Sequence, residues 1–192
     1  VEVDLPSIET VKMGLKVRIA HMAEKWGFKE GRRLVYPFPV GKAKTVYFGT
    51  MPQVGQGYPV LFINIAWLTS VEVWEPIIRE ALNVSPSLHI VLLFSLREPH
   101  EQELKRLQEM LKHFPSPRIS AIAGVWVSFV FGKTSGILAF LCDGNGFVRA
   151  VESYPELNFP TSLEDFKKDW QPKLHQAVKK VLDEFFQKSQ GR

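Results

Sequence analysis

Val60-Leu-Phe-Ile-Asn-Ile-Ala-Trp67, then Thr69 with Glu72 three positions on, then Leu88-His-Ile-Val-Leu-Leu-Phe94: this stretch decides the fold. The first run is almost continuously apolar, the pattern of a strand covered on both faces. Thr69 and Glu72 form a capping box, and the helix it opens carries Val73, Trp74, Ile77, Ile78, Ala81 and Leu82. Leu88 to Phe94 is a second apolar strand. Strand, helix, strand is a βαβ unit, predicted right-handed with its two strands parallel.

Toward the C-terminus, Pro99 suits the first turn of another helix, whose stripe is Leu104, Leu107, Leu111 and Phe114 and whose end is set by Pro115 and Pro117. Ile119 to Phe131 is predominantly apolar. Val125, Val127, Phe129 and Phe131 alternate, which favours a strand, with a short helix as the alternative. Gly136 to Cys142 reads as a strand, Asp143-Gly-Asn-Gly146 as a hairpin turn, and Phe147 to Glu152 as the returning strand. Thr161 and Glu164 form a second capping box, opening a last helix that Pro172 kinks or divides.

Toward the N-terminus, Pro52 to Tyr58 is a Gly-rich loop, and no P-loop lysine follows Val54-Gly-Gln-Gly57, so it reads as a turn and not as a phosphate cradle. Thr45 to Phe48 is a short strand. Arg32 to Val40 is extended, with Pro37 and Pro39. Ile8, Val11, Leu15, Ile19, Met22 and Trp26 form one helical stripe, with Ser7 as its cap and Gly27 at its end. Residues 1–15 carry Glu2, Asp4 and Glu9 and lack the apolar core of a secretory signal. The apolar segments are too short, or too rich in Gly and Pro, to span a bilayer.

With 192 residues, 45% hydrophobic and 23% charged, the chain has the composition of a globular domain. At this size folding buries roughly 70% of the chain's surface, enough for a core without disulfides. Cys142 is the one cysteine. That excludes an internal disulfide framework, a Cys-rich zinc site and an intramolecular dithiol cycle. Within the apolar strand its thiol is expected to be buried and unreactive. His21, His89, His100, His113 and His175 fall in different elements without metal-ligand spacing. No metal and no cofactor is expected.

The net charge of +4 is concentrated near the N-terminus. Lys12, Lys16, Arg18, Lys25, Lys29, Arg32, Arg33, Lys42 and Lys44 stand there against Glu24 and Glu30. Such a face suits an acidic partner or an anionic membrane surface. Nucleic acid is disfavoured, because no helix-turn-helix, RNA-recognition or zinc-finger pattern accompanies the charge.

The element order from Pro59 onward resembles that of the thioredoxin-like superfamily. Phe140-Leu-Cys-Asp-Gly-Asn-Gly146 with Phe147-Val148 is similar to the hairpin F-L-[IV]-D-x-x-G-x-[IV] of its TlpA-like and peroxiredoxin-like branches. Trp67-Leu-Thr-Ser-Val-Glu-Val-Trp-Glu-Pro76 has the spacing of W-C-x-x-C-x-x-E-x-P, where the first core strand of TlpA-like proteins enters the active helix. On this alignment the two family cysteines fall at Leu68 and Val71, and the family's cis-proline falls at Ile137. The resemblance therefore implies an α/β, thioredoxin-like three-layer fold with a mixed central sheet, without the residues of thiol-disulfide exchange. The expected organisation is a basic, helical N-terminal extension, residues 1–44, and a thioredoxin-like domain, residues 45–192.

The function expected is a non-catalytic module that binds, assembles or scaffolds another protein. Trp67, Leu68, Thr69, Ser70, Val71 and Ile137 occupy the family's substrate-facing positions, and Trp74 lies close to them in sequence. Lys12, Lys16, Arg18, Arg32 and Arg33 would supply an electrostatic docking face. Two alternatives stand beside it: a redox protein that uses Cys142 with a partner thiol, and a peripheral membrane or nucleic-acid binder working through residues 12–44. TlpA-like relatives commonly work outside the cytoplasm behind a membrane anchor, so the resemblance suggests an extracytoplasmic or membrane-associated setting.

Overall fold

The computed structural model describes residues 25–66, 70–96, 100–131, 136–158 and 161–190. Strands β1 (Thr45–Phe48), β2 (Val60–Ala66), β3 (His89–Ser95), β4 (Ile119–Gly124), β5 (Ile137–Cys142) and β6 (Val148–Ser153) form one sheet in the order β1-β4-β3-β2-β5-β6. β2, β3 and β4 run parallel, while β1, β5 and β6 each run antiparallel to their neighbours. The parallel pair β2–β3 sits in the middle and the β5–β6 hairpin at one side, as the apolar runs predict. This is an α/β architecture with a mixed sheet between two covering layers, the layering that the thioredoxin-like resemblance implies. Among the described residues no helix is long and apolar enough to cross a membrane.

Period-two alternation along β2 sorts its side chains onto the two faces. Leu61, Ile63 and Ile65 join one buried cluster and Val60 and Phe62 the other. The first cluster lies under α1 (Val71–Val84), α2 (His100–Lys112) and the C-terminal helix. The second lies under α3 (Trp126–Phe131) and the chain from Trp26 to Phe38. Trp26, Phe28 and Phe38 are buried there in a lattice of rings, with Phe28 5.2 Å from Phe140 and Phe38 5.6 Å from Phe62. So the described part of the expected N-terminal extension roofs one face of the sheet. The stripe Ile8–Met22 lies outside the described residues; Gly27, expected to end that helix, has φ +82. A Cβ at Gly27 would meet the Arg33 carbonyl oxygen at 2.2 Å, so only glycine fits.

Three local expectations are corrected. Val125 to Phe131 is not a strand: β4 stops at Gly124 and α3 follows. Trp126, Val127, Val130 and Phe131 are buried while Val125 is exposed, which is helical spacing. The N-cap of α1 is Ser70, without a side-chain cap bond; Thr69 lies outside the described residues. At the last helix the cap is Ser162, not Thr161, and its hydroxyl accepts from the Asp165 amide. The expected α2 stripe of Leu104, Leu107, Leu111 and Phe114 does face the first cluster, and Met110 joins it.

Pro172 does divide the last helix. A short α4 (Leu163–Asp165) passes through a π-helical turn, Phe166–Trp170, into α5 (Gln171–Gln190). Pro172 has no N–H to continue the preceding ladder, and the wider turn falls immediately before it.

Candidate functional site

The site singled out by the sequence is the junction from β2 into α1. Its neighbourhood is built around Asn64, the one polar side chain of β2 and 1% exposed. Its amide nitrogen donates to the carbonyl oxygens of Phe131 and, at 3.2 Å, of Ile137. Its side-chain oxygen accepts from the Ala66 amide at 3.0 Å, and the Tyr154 hydroxyl donates to its backbone carbonyl. The Tyr154 amide donates to the Gly136 carbonyl. Burial pushes the Tyr154 phenol well above its ordinary range, which keeps its proton in place as a donor. Ala66 takes φ +52, the left-handed region, at the bulge that ends β2. Asn64 therefore clamps the ends of α3 and β5 against the strand that leads to α1.

Of the candidate contact residues, Ser70, Val71 and Ile137 are described. Ser70 caps α1 and is half-buried, and Val71 is the first residue of the helix. Ile137 opens β5 and is tied to the end of β2 through Asn64. All three therefore lie at one end of the sheet. Their side chains diverge, because Val71 packs against the first cluster and Ile137 belongs to the second, on the opposite face. Trp67, Leu68 and Thr69 lie outside the described residues. Trp74 is fully buried in the first cluster and offers no surface to a partner. Glu72, in the first turn of α1, suits the positive end of the helix dipole and pairs with Lys167 of the π-helical turn.

Arg32 and Arg33, the described members of the basic set, do not join this end. Lys12, Lys16 and Arg18 lie outside the described residues. Arg32 and Arg33 are exposed beside the start of β6, where Val148 exchanges backbone bonds with Arg32 and Gly31. Arg33 and Arg149 flank the Phe147 ring, at 5.7 and 5.3 Å from its centre. Val148 pairs with Cys142, and Cys142 with Val60 at the beginning of β2. The arginines therefore sit at the far end of the sheet from Ser70, roughly 20 Å away at 3.3 Å per strand residue.

Cys142 is fully buried at that same far end. Burial, with a smaller contribution from the Asp143 charge, pushes its thiol far above the ordinary range. Asp143 itself accepts from the amides of Asn145 and Phe147 and from Arg149 Nε at 2.7 Å. The Gly-rich loop before β2 docks on this turn: the Gly57 amide donates to the Gly144 carbonyl at 2.9 Å, and a Cβ at Gly144 would crowd Gly57. Its glycines thus serve a backbone-to-backbone approach.

Two residues that organise the site escaped the sequence reading. Tyr154 acts over a long separation and carries no local signature. Asn64 did leave one, as an amide in an otherwise apolar run. Among the described residues no group of three His, Cys, Asp or Glu is placed to hold a metal ion.

No protein-family model matches the chain, and no curated protein matches it. Among solved structures it is similar to a protein of Aquifex aeolicus VF5 assigned provisionally to electron transfer, with 7% identity over 64% of this chain and 80% of that one, at a TM-score of 0.36. It is also similar to the dsbF protein of MTB, seen in mixed oxidized and reduced forms, with 18% identity over 65% of this chain and 81% of that one, at a TM-score of 0.35.

Proposed function

We propose that the chain is a non-catalytic thioredoxin-like module, of the TlpA-like branch with its dithiol lost, that holds another protein at the end of the sheet where β2 passes into α1. The observation that carries this reading is the position of the single thiol. Thiol-disulfide exchange needs a thiolate at a helix N-terminus, where the dipole lowers its pKa. On the family alignment Leu68 falls at the thiolate position and Val71, the first residue of α1, at that of the resolving cysteine, and neither side chain carries a thiol. Cys142 pairs instead with Val60, a strand's length away, and is closed off from solvent.

The contact residues proposed are Trp67, Leu68, Thr69, Ser70, Val71 and Ile137. Lys12, Lys16, Arg18, Arg32 and Arg33 would add an electrostatic contact. Because Arg32 and Arg33 lie at the other end of the sheet, a partner that engages both surfaces has to run the length of a strand.

Two measurements test the reading. The purified chain is expected to reduce insulin disulfides no faster than the dithiothreitol blank, and turnover above that blank would overturn the non-catalytic assignment. A photo-crosslinking residue at position 70 is expected to capture a protein in extracts of the native source, and to lose it when Val71→Glu is added. The same adduct from a crosslinker at position 109, on α2, would remove the α1 junction as the docking surface.

A further inference from the structure

We propose that the open edge of β1 receives an extended acidic segment of a partner protein as an additional strand. Among the described residues β1 stands at the end of the sheet order and pairs with β4 alone. In an antiparallel ladder, alternate residues direct both N–H and C=O away from the paired neighbour. Among the described residues, Thr45–Phe48 makes no backbone hydrogen bond to any segment besides β4. An edge of this kind is a template for an incoming strand.

The side chains give the incoming strand its character. Tyr47 is 52% exposed and offers an aromatic surface to a neighbour. Lys42 and Lys44 are exposed immediately before the strand. The sequence has no Asp or Glu between Glu30 and Glu72, and β4 and α3 carry no charged side chain. The edge thus presents two ammonium groups with no carboxylate in its own or the adjoining strand. Complementarity selects an acidic chain, and the same lysines disfavour a second copy, which would bring like charges together.

This surface is separate from the α1 junction. Three strand spacings, roughly 14 Å, divide β1 from β2. Failure here leaves the reading of the junction standing, and the reverse holds.

The test uses the full chain labelled with 15N and titrated with an eight-residue peptide alternating Glu with Val or Thr. The expected result is a set of amide shifts centred on residues 45–48, with affinity that falls as salt is raised. Replacing both lysines, Lys42→Glu with Lys44→Glu, should weaken binding about fivefold or more at unchanged fold, since both side chains are exposed. A peptide N-methylated at alternate residues, unable to pair along one edge, should not bind. Equal binding by a peptide with Lys in place of each Glu, or by the N-methylated one, overturns the proposal. So does the absence of shifts in β1, the result expected where a second copy or another stretch of this chain already fills the edge.

Discussion

The side-chain amide of Asn64 donates to the Ile137 carbonyl at 3.2 Å, a bond that spans 73 positions and joins the last residues of β2 to the first of β5. The same amide reaches the Phe131 carbonyl at the end of α3. Asn64→Leu preserves the volume and leaves both buried carbonyls without this donor. The expected cost is about 2–4 kcal/mol, read from chemical denaturation, with faster amide exchange at residues 137–139. A cost below about 1 kcal/mol would show that the clamp is dispensable.

Arg118 closes the opposite end of α1. Its guanidinium donates to the carbonyls of Leu82, Ser85 and Leu88 at 3.0, 2.8 and 3.1 Å, so a residue 30 or more positions away supplies the C-terminal cap. Burial, and then the Arg118 charge, lowers the pKa of His89. The unfolded chain therefore binds more protons at this position as the pH falls through the ordinary imidazole range, and acidification costs stability. Arg118→Ala should raise the His89 pKa in an NMR titration and flatten that part of the stability profile. An unchanged His89 titration would remove the charge coupling.

Asp143 works in the opposite sense. Burial alone would raise its pKa, but the hydrogen bonds from Arg149, Phe147 and Asn145, with the Arg149 charge, hold it below the usual carboxylate value. Its stabilising contribution is complete above the unfolded carboxylate pKa and is lost as the pH falls through the depressed folded value. Asp143→Asn should destabilise the chain at pH 7 and narrow its difference from wild type toward pH 2. A difference that stays constant with pH would mean that charge is irrelevant at this turn.

Cys142 should react with aromatic disulfide reagents only through opening of the fold. Its labelling rate is expected to rise with denaturant in step with global unfolding. Complete labelling of the native protein within seconds would contradict its burial and reopen a redox role.

The sequence exposes what is repeated along an element and hides what is made between elements. β2, β3 and β5 are legible because strands covered on both faces are apolar at nearly every position. The Asp143–Gly146 turn is legible because only certain residues fit it. Helix starts are legible to within one residue: at both Thr69-Ser70 and Thr161-Ser162 two hydroxyl residues are adjacent in sequence, and the second holds the N-cap position. α3 is hidden because Val125, Val127, Phe129 and Phe131 happen to alternate over the same residues whose buried set has helical spacing. At the candidate site, Ser70 and Val71 are read from their position in one helix. The Asn64 clamp needs α3, β5 and Tyr154 to converge, which no local pattern records. The separation of Arg32 and Arg33 from Ser70 likewise depends on strand register.

Trp26, Phe28 and Phe38 leave the ribosome before any strand of the sheet, yet the rings they rest on, Phe62, Phe131 and Phe140, are made much later. The aromatic lid cannot seat fully until β5 exists, so a segment made before the strands it covers is among the last to find its place. A nascent chain stalled before Phe140 would carry these rings uncovered, a natural target for a holdase chaperone.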